Sequence, residues 1–131
     1  MRLLLDTHIA IWAIGKVARL PPLARDLILD PANSVAVSAV SIWEITIKHA
    51  FDRGRPNDIA ISGATALGYF RDAGFEIIPI LPEHAIAVAD LPSLHKDPFD
   101  RLLVAQAKVE TLQILTSDKI VAAYGGMVTL V

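Results

Sequence analysis

The chain has 131 residues, of which 53% are hydrophobic, and 14 acidic against 12 basic side chains leave a net charge of −2. That much apolar content excludes a disordered chain and supplies one core of ordinary domain size, so a single domain over 1–131 is expected. The slight negative charge excludes the general attraction to nucleic acid that a basic surface gives; such binding would need local cations or bound metal.

There is no cysteine, which excludes a disulfide framework or thiolate zinc site and fits a reducing cytoplasm. Only oxygen and imidazole donors remain for a metal, a set that favours Mg²⁺ or Mn²⁺. No stretch reaches the roughly 18 uncharged apolar residues of a membrane span, and the apolar start breaks at Asp6, too early for a signal peptide. A soluble, cytoplasmic protein with no membrane contact is the expectation. A mean hydropathy of +0.49 is high for such a protein and suggests that a partner covers some apolar surface.

In chain order, residues 2–5 read as a strand that ends on Asp6, and helical stretches follow at 8–14 and 23–29. A second strand at 34–37 leads into a helix at 40–51, and a helix at 59–73 precedes a strand at 76–80. Helices at 83–89 and 99–109, a strand at 113–116, a short helix at 119–123 and a last strand at 127–130 complete the chain. The strand runs are nearly continuous in apolar character, as in strands covered on both faces. Alternation of strand and helix implies an α/β fold, three layers α/β/α around a mostly parallel sheet of about five strands. Ligands of such sheets bind beyond the carboxyl ends of the strands, where the strand order reverses.

Four acids fall at strand-to-helix transitions: Asp6, Glu44, Asp100 and Asp118. With parallel strands all four project from one sheet edge, where converging carboxylates repel unless a cation lies among them. Each acid also has a structural explanation. Ser41-Ile42-Trp43-Glu44 matches a capping box with Ser41 as N-cap; in Asp97-Pro98-Phe99-Asp100, Asp97 caps a helix that Pro98 opens; Asp6 and Asp118 are further caps. Spacing alone leaves both explanations standing, and they are compatible.

Among the other polar residues, His49, His84 and His95 read as isolated or structural, and His8 lies close enough to Asp6 to approach the site. Lys48, four residues after Glu44, is placed either to reach a substrate or to pair with Glu44. Arg101 sits beside Asp100, and Arg53 and Arg55 lie in a Gly- and Pro-containing loop; each is solvated surface or a contact to an RNA backbone. Trp12 and Trp43 lie within amphipathic helices and read as core. There is no Gly-rich phosphate loop and no nucleophile elbow.

Four separated segments, Leu4-Leu5-Asp6-Thr7-His8, Val37-Ser38-Ala39-Val40-Ser41-Ile42-Trp43-Glu44-Ile45, His95-Lys96-Asp97-Pro98-Phe99-Asp100-Arg101 and Leu115-Thr116-Ser117-Asp118, together resemble PIN-domain proteins. Within that family the chain looks most like the VapC-type toxins of toxin–antitoxin pairs. The resemblance implies an α/β/α fold and a Mg²⁺- or Mn²⁺-dependent endoribonuclease working by two-metal hydrolysis, with Asp6, Glu44, Asp100 and Asp118 as the acidic set. Asp6 and Asp100 would be direct metal ligands, Glu44 a ligand or the base for water, and Asp118 a ligand acting through water. Lys48, Arg101 and Ser117 are candidate substrate contacts, Ser117 and Thr116 offering the hydroxyl common near the last acid. The resemblance further implies an RNA substrate, a small cognate antitoxin and a homodimer.

Three other readings compete. A signalling receiver domain needs a phosphate-accepting Asp at the end of its middle strand, whereas the third strand here ends Ile78-Pro79-Ile80. A non-catalytic PIN-fold interaction module has no need of the intact acid set. A housekeeping RNA-processing nuclease differs from a toxin only in lacking an antitoxin.

Overall fold

The computed structural model describes residues 1–56 and 58–131. Five short strands, Arg2–Leu5 (β1), Ser34–Ser38 (β2), Glu76–Ile78 (β3), Gln113–Thr116 (β4) and Val128–Leu130 (β5), form one sheet in the order β3-β2-β1-β4-β5. Every neighbouring pair is parallel. The α-helices among the described residues are Thr7–Gly15 (α1), Pro22–Leu29 (α2), Ala39–His49 (α3), Gly63–Asp72 (α4), Pro82–Ala87 (α5), Pro98–Glu110 (α6) and Lys119–Ala122 (α7).

The two-residue period of a strand explains the layers. Leu3 and Leu5, with Val37 and Leu115, point to the face covered by Ile9 and Ala10 of α1, Ala24 of α2 and Phe70 of α4. Leu4, Ala36 and Ile114 point to the other face, against Leu103, Val104 and Ala107 of α6 and Val121 of α7. Both faces are thus buried, which is why the strands carry no polar alternation. Burying each such leucine stabilises the fold by roughly 1.5–3 kcal/mol relative to leaving it in water.

The chain lays β1, β2 and β3 outward in one direction, then returns to place β4 on the other side of β1. The switch point therefore lies between the carboxyl ends of β1 and β4, where the Asp6 backbone N–H donates to the Leu115 carbonyl at 3.1 Å.

Element bounds differ from expectation in two informative places. The strand expected over 76–80 stops at Ile78, because Pro79 has no N–H to give a ladder. The helix expected from 59 begins at Gly63, capped by Ser62, whose hydroxyl accepts the Thr65 N–H at 3.1 Å. Ile59 is instead buried in non-helical backbone, its carbonyl held by His49 Nδ1 at 2.9 Å. At Gly63 α4 comes so close to α3 that a Cβ would stand 2.0 Å from Thr46 Oγ1.

Candidate active site

Each of the four acids is placed by a different local device. Asp6 caps α1: its Oδ1 accepts the Ile9 N–H at 2.9 Å, and its Oδ2 accepts the Thr116 hydroxyl from the end of β4. The side chain is only 6% exposed. Burial pushes its carboxyl above the ordinary 3.8, the Glu44 charge pushes the same way, and the Thr116 and Ile9 hydrogen bonds and His8 oppose them.

Glu44 stands in the second turn of α3. The capping box expected at Ser41 does not form, because Ser38 is the N-cap, its hydroxyl accepting the Val40 N–H at 3.1 Å. Helix α3 thus starts early enough to turn Glu44 inward, where it is 3% exposed. Its Oε1 accepts the Thr7 hydroxyl at 2.6 Å and its Oε2 meets Lys48 Nζ at 2.6 Å. Ser41 Oγ lies 3.0 Å from Thr7 Oγ1 and, the threonine proton being committed to Glu44, donates to it.

Asp100 and Asp118 fill the opposite side. Asp97 is the N-cap of α6, as expected, accepting from the backbone N–H groups of Phe99 (2.8 Å) and Asp100 (3.4 Å). Burial first, then the charges of Asp97, Glu44 and Asp6, push the Asp100 carboxyl up to about 7, against a lowering by His95. Asp118 caps α7 through the Ile120 N–H at 2.8 Å, and its own N–H donates to Thr116 Oγ1 at 3.0 Å. All four acids line one cleft of about 180 Å³, which Lys48 and Ser117 also line.

His95, expected to be isolated, belongs to this cleft. Its Nε2 lies 2.9 Å from Asp100 Oδ2 and 3.4 Å from Asp118 Oδ2, without an aligned hydrogen bond to either. Its Nδ1 accepts the Asp97 N–H at 3.2 Å, which fixes the ring. One ligand atom from each of His95, Asp100 and Asp118 lies within 4.8 Å of the others, a spacing that one cation with bonds of roughly 2.0–2.6 Å spans. The donors are carboxylate and imidazole, so the residues present fit a hard or borderline divalent cation.

Residues 3–126 match the PIN domain. The chain belongs to the PIN domain family.

Solved structures agree on the fold of this PIN domain. VapBC2 from Rickettsia felis, bound to a DNA fragment from its promoter, is similar at a TM-score of 0.64 and 20% identity, over 90% of this chain and 88% of that one. FitAB bound to an IR36 DNA fragment gives a TM-score of 0.64 at 20% identity, over 97% and 93%. VapBC-5 from Mycobacterium tuberculosis, a member of the VapBC family of toxin–antitoxin systems, gives 0.57 at 23% identity, over 98% and 95%. No curated protein matches the sequence.

Other expectations need correction. Arg101 is not free for a substrate: its guanidinium donates to the Pro92 carbonyl (3.0 Å), the Val88 carbonyl (3.2 Å) and the Tyr124 hydroxyl (3.2 Å), tying α6 to the segment before it and to Tyr124 after α7. Trp43 is not core; it is 56% exposed and meets Phe99 edge-on at 5.0 Å between ring centroids. Trp12 does pack against the core. His84, read as isolated, is buried and paired with Glu110 at 2.7 Å. His95 and Thr7 were missed as members of the cleft. For His95 the available signal was its place two residues before the cap Asp97, and for Thr7 its place directly after Asp6.

Proposed function

We propose that this PIN domain is a divalent-metal-dependent endoribonuclease and acts as the toxin of a type II toxin–antitoxin pair in the cytoplasm. The observation that carries the reading is the convergence of Asp6, Glu44, Asp100 and Asp118 in one cleft at the sheet's switch point. Two of these carboxyls are held above their ordinary value, so the site is strained toward taking up either protons or a cation.

Asp6 and Asp100 are the ligands we assign to Mg²⁺ or Mn²⁺. Both are short side chains fixed at helix starts, and Asp118 completes the set through water. When bound, the metal supplies an activated water and neutralises charge on the phosphate. Thr116 orients Asp6 from β4, Asp97 fixes the turn that carries Asp100, and Ser117 offers a hydroxyl at the rim to a phosphate oxygen. Hydrolysis of this kind leaves a 5′-phosphate and a 3′-hydroxyl.

The toxin reading is supported by the fold's likeness to VapBC structures, and a small antitoxin is the partner it requires. An apolar groove of about 220 Å³, lined by Ile11, Trp12, Ile14, Ile59 and Ile61, shares His8 with the acidic cleft. That groove offers a seat for the antitoxin beside the site to be blocked. The test is cleavage of RNA by purified Asp6→Asn and Asp100→Asn, with folding checked by circular dichroism. Loss of cleavage with the fold intact is expected, and wild-type activity in either variant contradicts the assignment.

A further inference from the structure

Where α3 and α6 border the acidic cleft, each helix carries an aromatic ring beside its carboxylate. Trp43 directly precedes Glu44 on α3, and Phe99 directly precedes Asp100 on α6. Neighbours on a helix are turned by about 100°, so the two members of each pair face different ways. Glu44 points inward and is 3% exposed, whereas Trp43 is 56% exposed. The rings of Trp43 and Phe99 meet edge to face, 5.0 Å between centroids and 73° between planes, an arrangement that aromatic pairs prefer. Phe99 is itself half-buried against the core on the α6 side of the sheet. A ring anchored in the core thus holds the indole in place, with more than half of Trp43 left to solvent.

Lys48 joins this surface to the cleft. It lines the cleft, and its Nζ stands 5.9 Å from the Phe99 ring centroid. Rings beside a cation, at the mouth of a site for a phosphate, suit an unpaired nucleotide: the base stacks on a ring and the backbone feels the cation. Other exposed apolar side chains lie elsewhere, Leu29 on α2 and Ile86 on α5, and neither lines the cleft. Trp43 differs from them in this continuity with the acids. A strand whose phosphate lies among the carboxylates passes over it on the α3 side.

We infer that Trp43, held by Phe99, is a stacking platform for one base of the RNA strand beside the scissile phosphate. This rests on the nuclease reading above and adds a substrate-positioning residue to it. Every base has a π face, so such a platform fixes how the strand lies and tolerates any sequence. The stack is made in the bound substrate and kept in the transition state, so its loss raises KM and leaves kcat nearly unchanged.

The experiment measures steady-state cleavage of a defined unstructured RNA by the full chain and by Trp43→Ala and Trp43→Phe, with folding checked by circular dichroism. Trp43→Ala should raise KM about tenfold with kcat within about threefold of wild type, and Trp43→Phe, which keeps a ring, should restore most of the loss. Binding is read separately in an Asp100→Asn background with Mg²⁺, where the RNA stays uncut. An unstructured oligoribonucleotide should quench tryptophan emission there, and adding Trp43→Phe should remove that quenching. A merely structural tryptophan would give no such signal. An unchanged KM in Trp43→Ala overturns the inference alone, as does quenching that persists in Trp43→Phe. So does dissociation of a wild-type dimer by Trp43→Ala in sedimentation equilibrium, which would assign the indole to a second copy of the chain. A wild-type chain that neither binds nor cuts RNA overturns the nuclease reading and the inference with it.

Discussion

Asp100 carries the most direct pH signature in the molecule. Its carboxyl is pushed up to about 7 from an ordinary 3.8, chiefly by burial and then by Asp97. Between those values the folded chain holds a proton that the unfolded chain has released. The metal-free protein therefore loses stability as pH rises through that window, the opposite of a salt-bridged aspartate. Mn²⁺ competes with the same proton, so its affinity should tighten across the window. Urea midpoints from about pH 5 to about pH 8 should fall without metal and flatten in saturating Mn²⁺ or in Asp100→Asn. A metal-free midpoint that climbs with pH throughout would contradict the assignment. Of the capping expectations at this scale, Asp6, Asp97 and Asp118 hold because a side-chain oxygen two or three residues before its N–H partner is a local event. Ser41 fails because Ser38 competes for the same helix and wins, and local spacing cannot choose between two good caps.

At the scale of elements, α3 and α4 approach closely, since a Cβ on Gly63 would meet Thr46 Oγ1 at 2.0 Å and Thr46 Cβ at 3.2 Å. Thr46 Oγ1 already donates to the Ile42 carbonyl at 2.8 Å, so rotating it away breaks a bond and swings a methyl group into the space. Gly63→Ala should destabilise the fold by about 1–3 kcal/mol, read from denaturant melts. Adding Thr46→Ala should recover much of that loss; no change in midpoint for Gly63→Ala would mean that the helices are not so closely packed. This contact was invisible beforehand because it joins two side-by-side helices through a residue with no side chain. The helix starts that carry Asp6, Asp100 and Asp118 were legible, because each directly follows a strand or a Pro-marked boundary. Arg101 was misjudged for a related reason: adjacency to Asp100 in sequence turns it about 100° around a helix, onto the Tyr124 side.

For the whole molecule, layer order and parallel pairing follow from strand-helix alternation and from strands whose central residues are nearly all apolar, and both were readable from the sequence. Which strand ends meet was not, since the order β3-β2-β1-β4-β5 depends on a crossover that no local pattern encodes. High mean hydropathy has a visible counterpart at the surface: Leu29, Trp43, Phe51 and Ile86 are all exposed. The homodimer that the sequence resemblance implies would cover such side chains away from the cleft, and sedimentation equilibrium of the chain alone is expected to give a dimer. A strictly monomeric profile would contradict the homodimer that the resemblance implies. Among the described residues no helix is long and apolar enough to cross a membrane.

The claim on which the rest depends is that the acidic cleft cuts RNA with a divalent cation. The most direct measurement incubates the purified chain with end-labelled RNA in Mn²⁺, in Mg²⁺ and in excess chelator, beside Asp100→Asn at the same concentration. Fragments with 5′-phosphate ends are expected in metal and none in chelator, with a rate at least about 100-fold lower for Asp100→Asn. Cleavage that persists in chelator, or a variant that cuts at the wild-type rate, would contradict it.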